Sequence, residues 1–474
     1  MQPVPKPSLP AWWLDEALAW EGEVAEAPPP AGDLEVDVAI VGGGYTGLWT
    51  ALALRERDPG IRVAVLEAEM VGWGPSGRNG GFVGGYLGGS GELERLFGRE
   101  GALALAEVGQ RIVPAVRALA ERYEADIWLR EAGYLRLSAG IAQDDHVDRI
   151  VATARELGVA EKLVQPLSPP EVQERIRSPV LRHGVLVRDT ATVQPARLAR
   201  LLRRAVLDAG VALHERTRVL DVRARSPNVL ELLGCRVRAD EVVLATNAAL
   251  AGWQPLSGWL TNFGSYVVLS EPVPELLERI GWNGGEAACD ARMFLHYFRT
   301  TEDGRILMGS GSGPIGVGGR LDGRFSADRA TAERAAAGLR RLIPEAAEVR
   351  IERSWGGPID VSADHVPFFG TAPGTRIHYA AGYSGHGAGP SWLGAQALAS
   401  LVTHADDEWT ALPFTNRRPR RLLPPEPFRH LGGALVRAAI LACEEAEDAG
   451  RRAPLPVRAA AALPRLVRLE LGTR

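Results

Sequence analysis

Lysine is almost missing from this chain of 474 residues. Lys6 and Lys162 are the only two among 54 basic residues, so arginine carries nearly all the positive charge. A buried lysine can shed its proton and act as a base or nucleophile, whereas arginine stays charged. Chemistry of the lysine kind therefore has little to draw on. Cysteine is as scarce. Cys235, Cys289 and Cys443 are far apart and odd in number, which excludes a disulfide framework and a CxxC metal pair and fits a reducing cytoplasm. Each reads as a small buried hydrophobe. No apolar run is long and unbroken enough to span a bilayer. The N-terminus lacks the basic-then-apolar order of a secretory signal. The formal net charge of -4 gives no reason to expect nucleic acid or a charged membrane as the main partner. The length predicts two or three domains, and the composition is that of a soluble globular protein.

Glycine, by contrast, is placed with purpose. Val38 to Val41 reads as a buried strand and Leu48 to Leu54 as a helix. Between them lies Gly42-Gly43-Gly44-Tyr45-Thr46-Gly47. In such a turn Gly42 permits the tight bend, Gly44 lets the backbone approach a pyrophosphate, and Gly47 lets helix and strand pack closely. The helix N-terminus then points amides at the anion. The next strand, Arg62 to Leu66, ends in Glu67, a carboxylate placed to accept from a ribose diol. Glycine turns are common, but strand, turn, helix, strand and acid in this order point to a dinucleotide site.

Two further glycine-rich segments stand far from the first. One is Gly72 to Gly81 within a loop over Val71 to Gly91; the other is Gly382 to Gly387, between the strand Ile377 to Ala381 and a helix from Pro390 to about Val402. A nicotinamide site does not ordinarily require either. A long cofactor lying extended between segments does, because glycines let backbone pass close to a flat ring. Ser76, Arg78 and Asn79 add hydroxyl, guanidinium and amide donors. The helix after Gly387 would aim its positive end at the ring, stabilising negative charge on a reduced flavin.

Elsewhere, residues 1–31 read as a proline-rich arm with a short helix, docked on its own domain by Trp12 and Trp13. Helices are predicted over Glu92–Glu121 (broken or kinked by Pro114 and the glycines), Ala142–Leu157, Pro195–Ala209 and Ala327–Leu342. Strands are predicted at Gly133–Leu137, Val211–His214, Val219–Arg223, Val229–Leu232, Arg236–Arg238, Glu241–Ala245, Tyr266–Leu269, Arg292–Arg299 and Arg305–Met308. The tail from Pro413 encloses an amphipathic helix, Leu431–Ala449.

The motifs Val41 to Leu48, Leu66-Glu67-Ala68, Val71-Gly72-Trp73-Gly74 with Ser76 to Gly81, Asp290 to Gly309, and Gly382 to Gly387 together resemble the FAD-dependent amine and amino-acid oxidases of the D-amino-acid oxidase superfamily. They look most like the gamma-glutamylputrescine oxidase branch, and the resemblance covers roughly residues 36–405. It implies an α/β fold: a glutathione-reductase-like Rossmann FAD-binding domain with a second, mixed or antiparallel-sheet substrate domain. The implied division is an arm at 1–35, a discontinuous FAD domain at 36–90, 185–255 and 350–412, a substrate domain at 91–184 and 256–349, and a tail at 413–474. The implied cofactor contacts are Gly42, Gly44, Tyr45, Thr46, Gly47, Glu67, Ala68, Gly74, Ser76, Arg78, Asn79, Gly80, Gly81, Val219, Thr246, Asn247, Gly382, Tyr383, Ser384, Gly385, His386 and Gly387. The implied reaction oxidises a C–N bond of an amine or amino acid. Hydride passes to flavin N5, the imine hydrolyses, and oxygen takes the electrons to give hydrogen peroxide.

Hydride transfer needs orientation more than an acid–base pair, so the lack of a recognisable triad is compatible with it. Candidates to line a substrate pocket are His296, Tyr297 and Trp355, with Phe298 and Trp253; aromatic walls suit a cation or an apolar chain. Arg292 or Arg299 offers a fork for a carboxylate, although an internal ion pair is the ordinary role. Asp360 and Asp364 read as loop-ordering residues or partners of a substrate amine. Three departures from the family's pattern stand out. Leu307 occupies the position of a lysine that assists oxygen in the sarcosine-oxidase relatives, which leaves a dehydrogenase with another acceptor as an alternative. No cysteine stands near Ser354 or Trp355, where those relatives attach flavin covalently, so noncovalent FAD is expected. Pro75 replaces a small residue before Ser76. A flavin-binding protein without turnover is the remaining alternative. No metal is expected.

Overall fold

The computed structural model describes residues 4–7, 9–85, 90–159, 163–419 and 422–466. Lys162, residues 86–89 of the glycine-rich loop, and the outermost parts of the arm and tail lie outside the described residues.

The strand predicted around Val38 to Val41 is β1 (Leu34–Val41), and it sits in the middle of an eight-stranded sheet. Parallel neighbours β2 (Val63–Leu66) and the strand Arg236–Leu244 flank it. Beyond them lie Ala212–His214 and Ile377–Ala381, both parallel, then Phe368–Thr371, antiparallel. Both faces of this sheet are covered, which is why β1 and β2 read as nearly unbroken apolar runs. Val38, Ile40, Val63 and Val65 pack against the helices Tyr45–Arg57, Pro195–Asp208 and Pro390–Val402. Ala39, Val41, Ala64 and Leu66 face the other way, into a cluster with Leu230, Leu250 and Leu256.

A second eight-stranded sheet is mostly antiparallel. Its working end comprises the strands Leu260–Ser270, His296–Thr300, Ile306–Ser310 and Ile351–Ser362. The helix Arg329–Leu342 seals one face, burying Ala332, Ala336 and Leu339 against Val268, Phe298 and Met308. The other face carries Val267, Leu269, Leu307 and Trp355. These meet Trp13 and Leu14 of the arm's helix, α1 (Trp12–Glu21); the helix Tyr45–Arg57 that follows β1 is α2. The arm is thus folded onto its own chain, with Glu16 and Glu21 paired to Arg197 and Arg200.

Helix limits follow their expected signals closely. Pro390 opens a helix ending at Val402, and Gly158 (φ 76°) stops the one running Ile141–Leu157. The run over Glu92–Glu121 is broken, as expected, into two helices, Ser90–Gly109, kinked at Gly98, and Ile112–Arg122; the break falls before Pro114, which sits in the first turn of the second. Two strand expectations need correction. Arg236–Arg238 and Glu241–Ala245 are one continuous strand, Arg236–Leu244, whose early residues also pair with the strand Asn228–Glu231. Residues 292–295 are not strand but the turn into His296–Thr300: Asp290 Oδ1 accepts from His296 N (2.9 Å) and ties it off. The strand Ile351–Ser362 was not expected from the sequence; it is an edge strand, where Pro358 costs no ladder bond.

Trp13 has no solvent exposure and donates from Nε1 to Asn79 O (3.1 Å). Trp13→Ala is expected to lower the unfolding free energy by about 3–5 kcal/mol, the usual result of emptying a buried indole site. Denaturant titration measures it, and a loss under about 1 kcal/mol would mean that the arm is not part of the core.

Candidate active site

The three glycine segments are joined by hydrogen bonds. Gly43 N donates to Glu67 Oε2 (2.7 Å), Tyr45 N to Ser76 Oγ (2.9 Å), and the hydroxyls of Thr46 and Tyr383 lie 3.0 Å apart. They line one cavity of about 970 Å³. Its wall includes Gly42, Gly44, Tyr45, Thr46, Glu67 and Ala68 from the first βαβ unit. Gly74, Ser76, Arg78, Asn79 and Gly80 come from the second segment; Tyr383, Ser384, Gly385, His386 and Gly387 come from the third. Val219, Thr246 and Asn247 reach it from the segments before and after the Arg236–Leu244 strand.

Gly42 has φ 109°, and a Cβ there would stand 2.6 Å from Ala245 O. A Cβ on Gly47 would stand 2.0 Å from Gly42 O, so only glycine lets α2 seat against β1. Gly47, Gly81 and Gly382 shape the backbone without reaching the cavity wall. The helices that start at the cavity include α2, at Tyr45, and the Pro390 helix, and in neither does the N-cap residue, Gly44 or Gly389, supply a side-chain cap. Their positive ends favour an anion there.

Asp360 ties the third segment to the loop after the Arg236–Leu244 strand. It is buried, and accepts from Gly382 N (2.5 Å) and Asn247 Nδ2 (3.2 Å). Burial pushes its carboxyl up to about 6, although bonds from the Gly382 and Tyr383 amides pull the other way. Arg78 donates to Trp73 O (2.6 Å) and, more loosely, to Gly356 O and Ser326 Oγ. Burial brings it down to about 10, so it remains cationic at neutral pH. Desolvation by the enclosing cavity walls and the Arg136 charge push His386 below its ordinary value, although its side chain is exposed to the open cavity.

Of the aromatic candidates, only Tyr297 reaches the cavity. Its ring lies over Gly309, and its hydroxyl is 2.8 Å from Ser265 Oγ. Burial pushes that hydroxyl up to about 12, so it stays protonated. His296 and Trp355 do not line the cavity, which corrects the sequence expectation. His296 turns to the opposite face of its strand, with Nδ1 2.9 Å from Asp290 Oδ2 and its ring against Gly338. Trp355 is fully buried edge-on to Trp13, donating to Arg78 O (2.9 Å). Phe298 packs on Trp282, and Trp253 on Tyr379. Arg292 pairs with Asp290 and Asp448, and Arg299 donates to Val193 O and Thr300 O, so neither presents a free fork.

The cavity also has residues that the sequence did not reveal. Arg136, on the strand Tyr134–Leu137, is buried at the wall with its guanidinium on Tyr134 Oη, Cys289 Sγ and His146 Nε2. Met293, Phe294 and Leu295 of the turn before His296 contribute, as do Gly432, Gly433, Val436 and Ile440 of the tail helix Phe428–Asp448. No local signal marks any of these, because they join the site only through the tertiary fold.

Residues 37–401 match the family described as FAD-dependent oxidoreductase. The chain belongs to that family. It is 29% identical to the gamma-glutamylputrescine oxidoreductase of Escherichia coli over 413 residues, covering 84% of this chain and 91% of that protein. A probable oxidoreductase, OrdL, of Haemophilus influenzae is 26% identical over 390 residues, covering 80% and 86%. Among solved structures, glycine oxidase from Geobacillus kaustophilus superposes with a TM-score of 0.65 at 25% identity, covering 81% of this chain and 99% of that one. The family's cofactor is FAD. The cavity fits it: helix N-termini and Arg78 offer positive potential, and Asn247 Oδ1 is a buried acceptor with no partner among the described residues. When bound, FAD supplies the hydride-accepting ring.

Asp360→Ala leaves two backbone amides and Asn247 without their acceptor. FAD affinity should fall tenfold or more, about 1.4 kcal/mol, read as flavin lost on ultrafiltration. The carboxyl holds its proton more tightly folded than unfolded, so in the FAD-free protein its stabilising contribution is full below pH 3.8 and is lost as pH rises through about 6. Asp360→Asn should flatten that part of the stability profile; an unchanged profile would place the titration elsewhere.

Proposed function

We propose that this protein oxidises a C–N bond of an amine or amino acid. The substrate passes a hydride to FAD, the imine hydrolyses, and oxygen takes up the electrons as hydrogen peroxide. The observation that carries this reading is the convergence of three glycine segments and the Tyr297–Gly309 hairpin on one cavity. In this reading the glycine segments, with Glu67, Val219, Thr246 and Asn247, hold the cofactor. The first sheet with residues 36–90, 185–255 and 350–412 forms the cofactor unit, and the strand Ile351–Ser362 runs from the substrate sheet into it. The FAD is held noncovalently, which agrees with the absence of cysteine from the cavity wall among the described residues. Cys235, Cys289 and Cys443 form no disulfide with one another, which supports a cytoplasmic location.

Tyr297 orients the substrate by donating its hydroxyl proton, and Arg136 recognises a carboxylate when the substrate is an amino acid. Neutral His386 positions the third segment and can accept a proton from the cavity. A second reading, a dehydrogenase with another acceptor, is favoured by one observation. No lysine lines the cavity among the described residues, and Leu307 is buried in the cluster with Trp13 and Trp355.

Purified protein should be yellow, and acid precipitation should release its flavin into the supernatant. Amines and amino acids are then screened anaerobically for bleaching, air is admitted, and peroxide is assayed. Bleaching followed by rapid peroxide supports the oxidase; bleaching without it supports the dehydrogenase; no bleaching by any amine favours a non-catalytic flavoprotein. Tyr297→Phe should lower kcat/KM about tenfold, the loss of one hydrogen bond. Arg136→Ala should raise KM about 10–100-fold for amino acids and leave amines without a carboxylate nearly unaffected. An equal effect on both substrate classes would remove Arg136 from carboxylate recognition.

A further inference from the structure

Part of the cavity wall is apolar, and the tail supplies some of it. One stripe of the helix Phe428–Asp448 faces the body of the protein, with Arg429, Gly433, Val436, Ile440 and Glu444 along it at helical spacing. Bonds fasten the two ends of that stripe. Arg429 donates to Ser257 O (2.7 Å) and Leu260 O (3.1 Å), and Glu444 Oε1 accepts from Met293 N (3.0 Å) and Phe294 N (3.2 Å). Between them Val436 and Ile440 are buried and line the cavity. Gly433 permits this approach, because a Cβ there would already stand 3.1 Å from Ile315 Cδ1, another wall atom. Met293, Phe294 and Leu295 continue the apolar surface and lie just before Tyr297 in the chain. The surface thus adjoins the place where Tyr297 would orient a substrate.

We infer that the substrate carries an extended apolar group, a hydrocarbon chain or ring, and that Val436 and Ile440 of the tail helix select for it. This rests on the proposed oxidation of an amine or amino acid and names the class of substrate for that same site. The charges on the wall argue against a second charged end. Of its carboxylates, Glu67 and Asp360 hold backbone amides of the cofactor unit, and Glu92 pairs with Arg95 (3.8 Å). Arg437 is turned onto Ser312 O through Nε and Nη2 (2.9 and 2.6 Å). A far ammonium or carboxylate would lose its water here without an opposite charge to receive it. A methylene in the same place gains by leaving water, about threefold in affinity for each one buried.

The test titrates the full-length, FAD-loaded protein with straight-chain carboxylates and 1-alkylamines, from butyl to octyl. Binding is read as a shift of the flavin absorbance spectrum, which needs no turnover. With the head group that the site accepts, affinity should rise about threefold per methylene. Hexane-1,6-diamine and adipate should bind at least about tenfold more weakly than hexylamine and hexanoate. Ile440→Ala should lower the ratio of octyl to butyl affinity at least about threefold. Gly432→Leu should lower the same ratio by filling the space instead. A Cβ at Gly432 meets no atom within 4 Å, and leucine favours helix over glycine, so this variant folds even where Ile440→Ala does not. The inference is overturned if affinity does not grow with chain length, if the doubly charged probes bind as well, or if folded variants keep the wild-type ratio. Failure of the proposed reaction reads differently: no amine or amino acid then bleaches the flavin, while length-dependent binding persists.

Discussion

Everything at the site depends on how closely α2 approaches β1. The Gly42 carbonyl lies where any side chain on Gly47 would have to be. This contact sets the first turn of α2 over the carboxyl end of the parallel sheet, where open α/β sheets bind their ligands. The rest of the cofactor wall is then fixed by reach. Glu67 at the end of β2 is near enough to take the Gly43 amide, and Ser76 near enough to take that of Tyr45. A substitution at Gly47 would displace the helix from the strand, and these bonds would separate together.

Arginine, so abundant here, divides into two populations by its partners. Under the arm, Arg197 and Arg200 meet Glu16 and Glu21 and hold α1 to the Pro195 helix, while Arg203 ties that helix to Glu215 just after the strand Ala212–His214. At the cavity, Arg78 donates to carbonyls and a hydroxyl, and Arg136 to a phenol, a thiol and an imidazole. Carbonyl and hydroxyl acceptors satisfy the hydrogen bonds of Arg78 without cancelling its charge, which suits an anionic cofactor.

Local rules made the cofactor half of the site legible. A glycine turn from a buried strand into a helix, with an acid closing the next strand, suits little besides a dinucleotide, and the proline and glycine at helix ends fixed their limits within a residue or two. The substrate half was less legible for a geometric reason. His296, Tyr297 and Phe298 are consecutive on a strand, so period two must send Tyr297 to one face and its neighbours to the other. The sequence offers three aromatic rings but not which face holds the cavity. The strand Ile351–Ser362 was hidden because its Gly-Gly-Pro is tolerated only at a sheet edge, and edge status is a property of the assembled sheet. Arg136 was hidden because its role comes from Tyr134–Leu137 lying beside the strand Ala287–Asp290, a pairing between segments far apart in the chain.

The tail adds a layer that the family match does not contain. That match ends at residue 401, yet Gly432, Gly433, Val436 and Ile440 form part of the cavity wall. The same helix is fastened to the substrate sheet through Glu444, which accepts from the amides of Met293 and Phe294, themselves wall residues. To hold this roof, Arg429 and Arg437 point inward at backbone carbonyls, while Leu431 and Leu435 near the start of the helix and Glu445 and Glu447 near its end stay exposed. Gly432 faces open space, with no atom within 4 Å of where a Cβ would lie. A side chain there would take volume from the cavity without touching the cofactor wall, so the size of substrate admitted can change by substitution in the tail while the oxidising machinery stays intact.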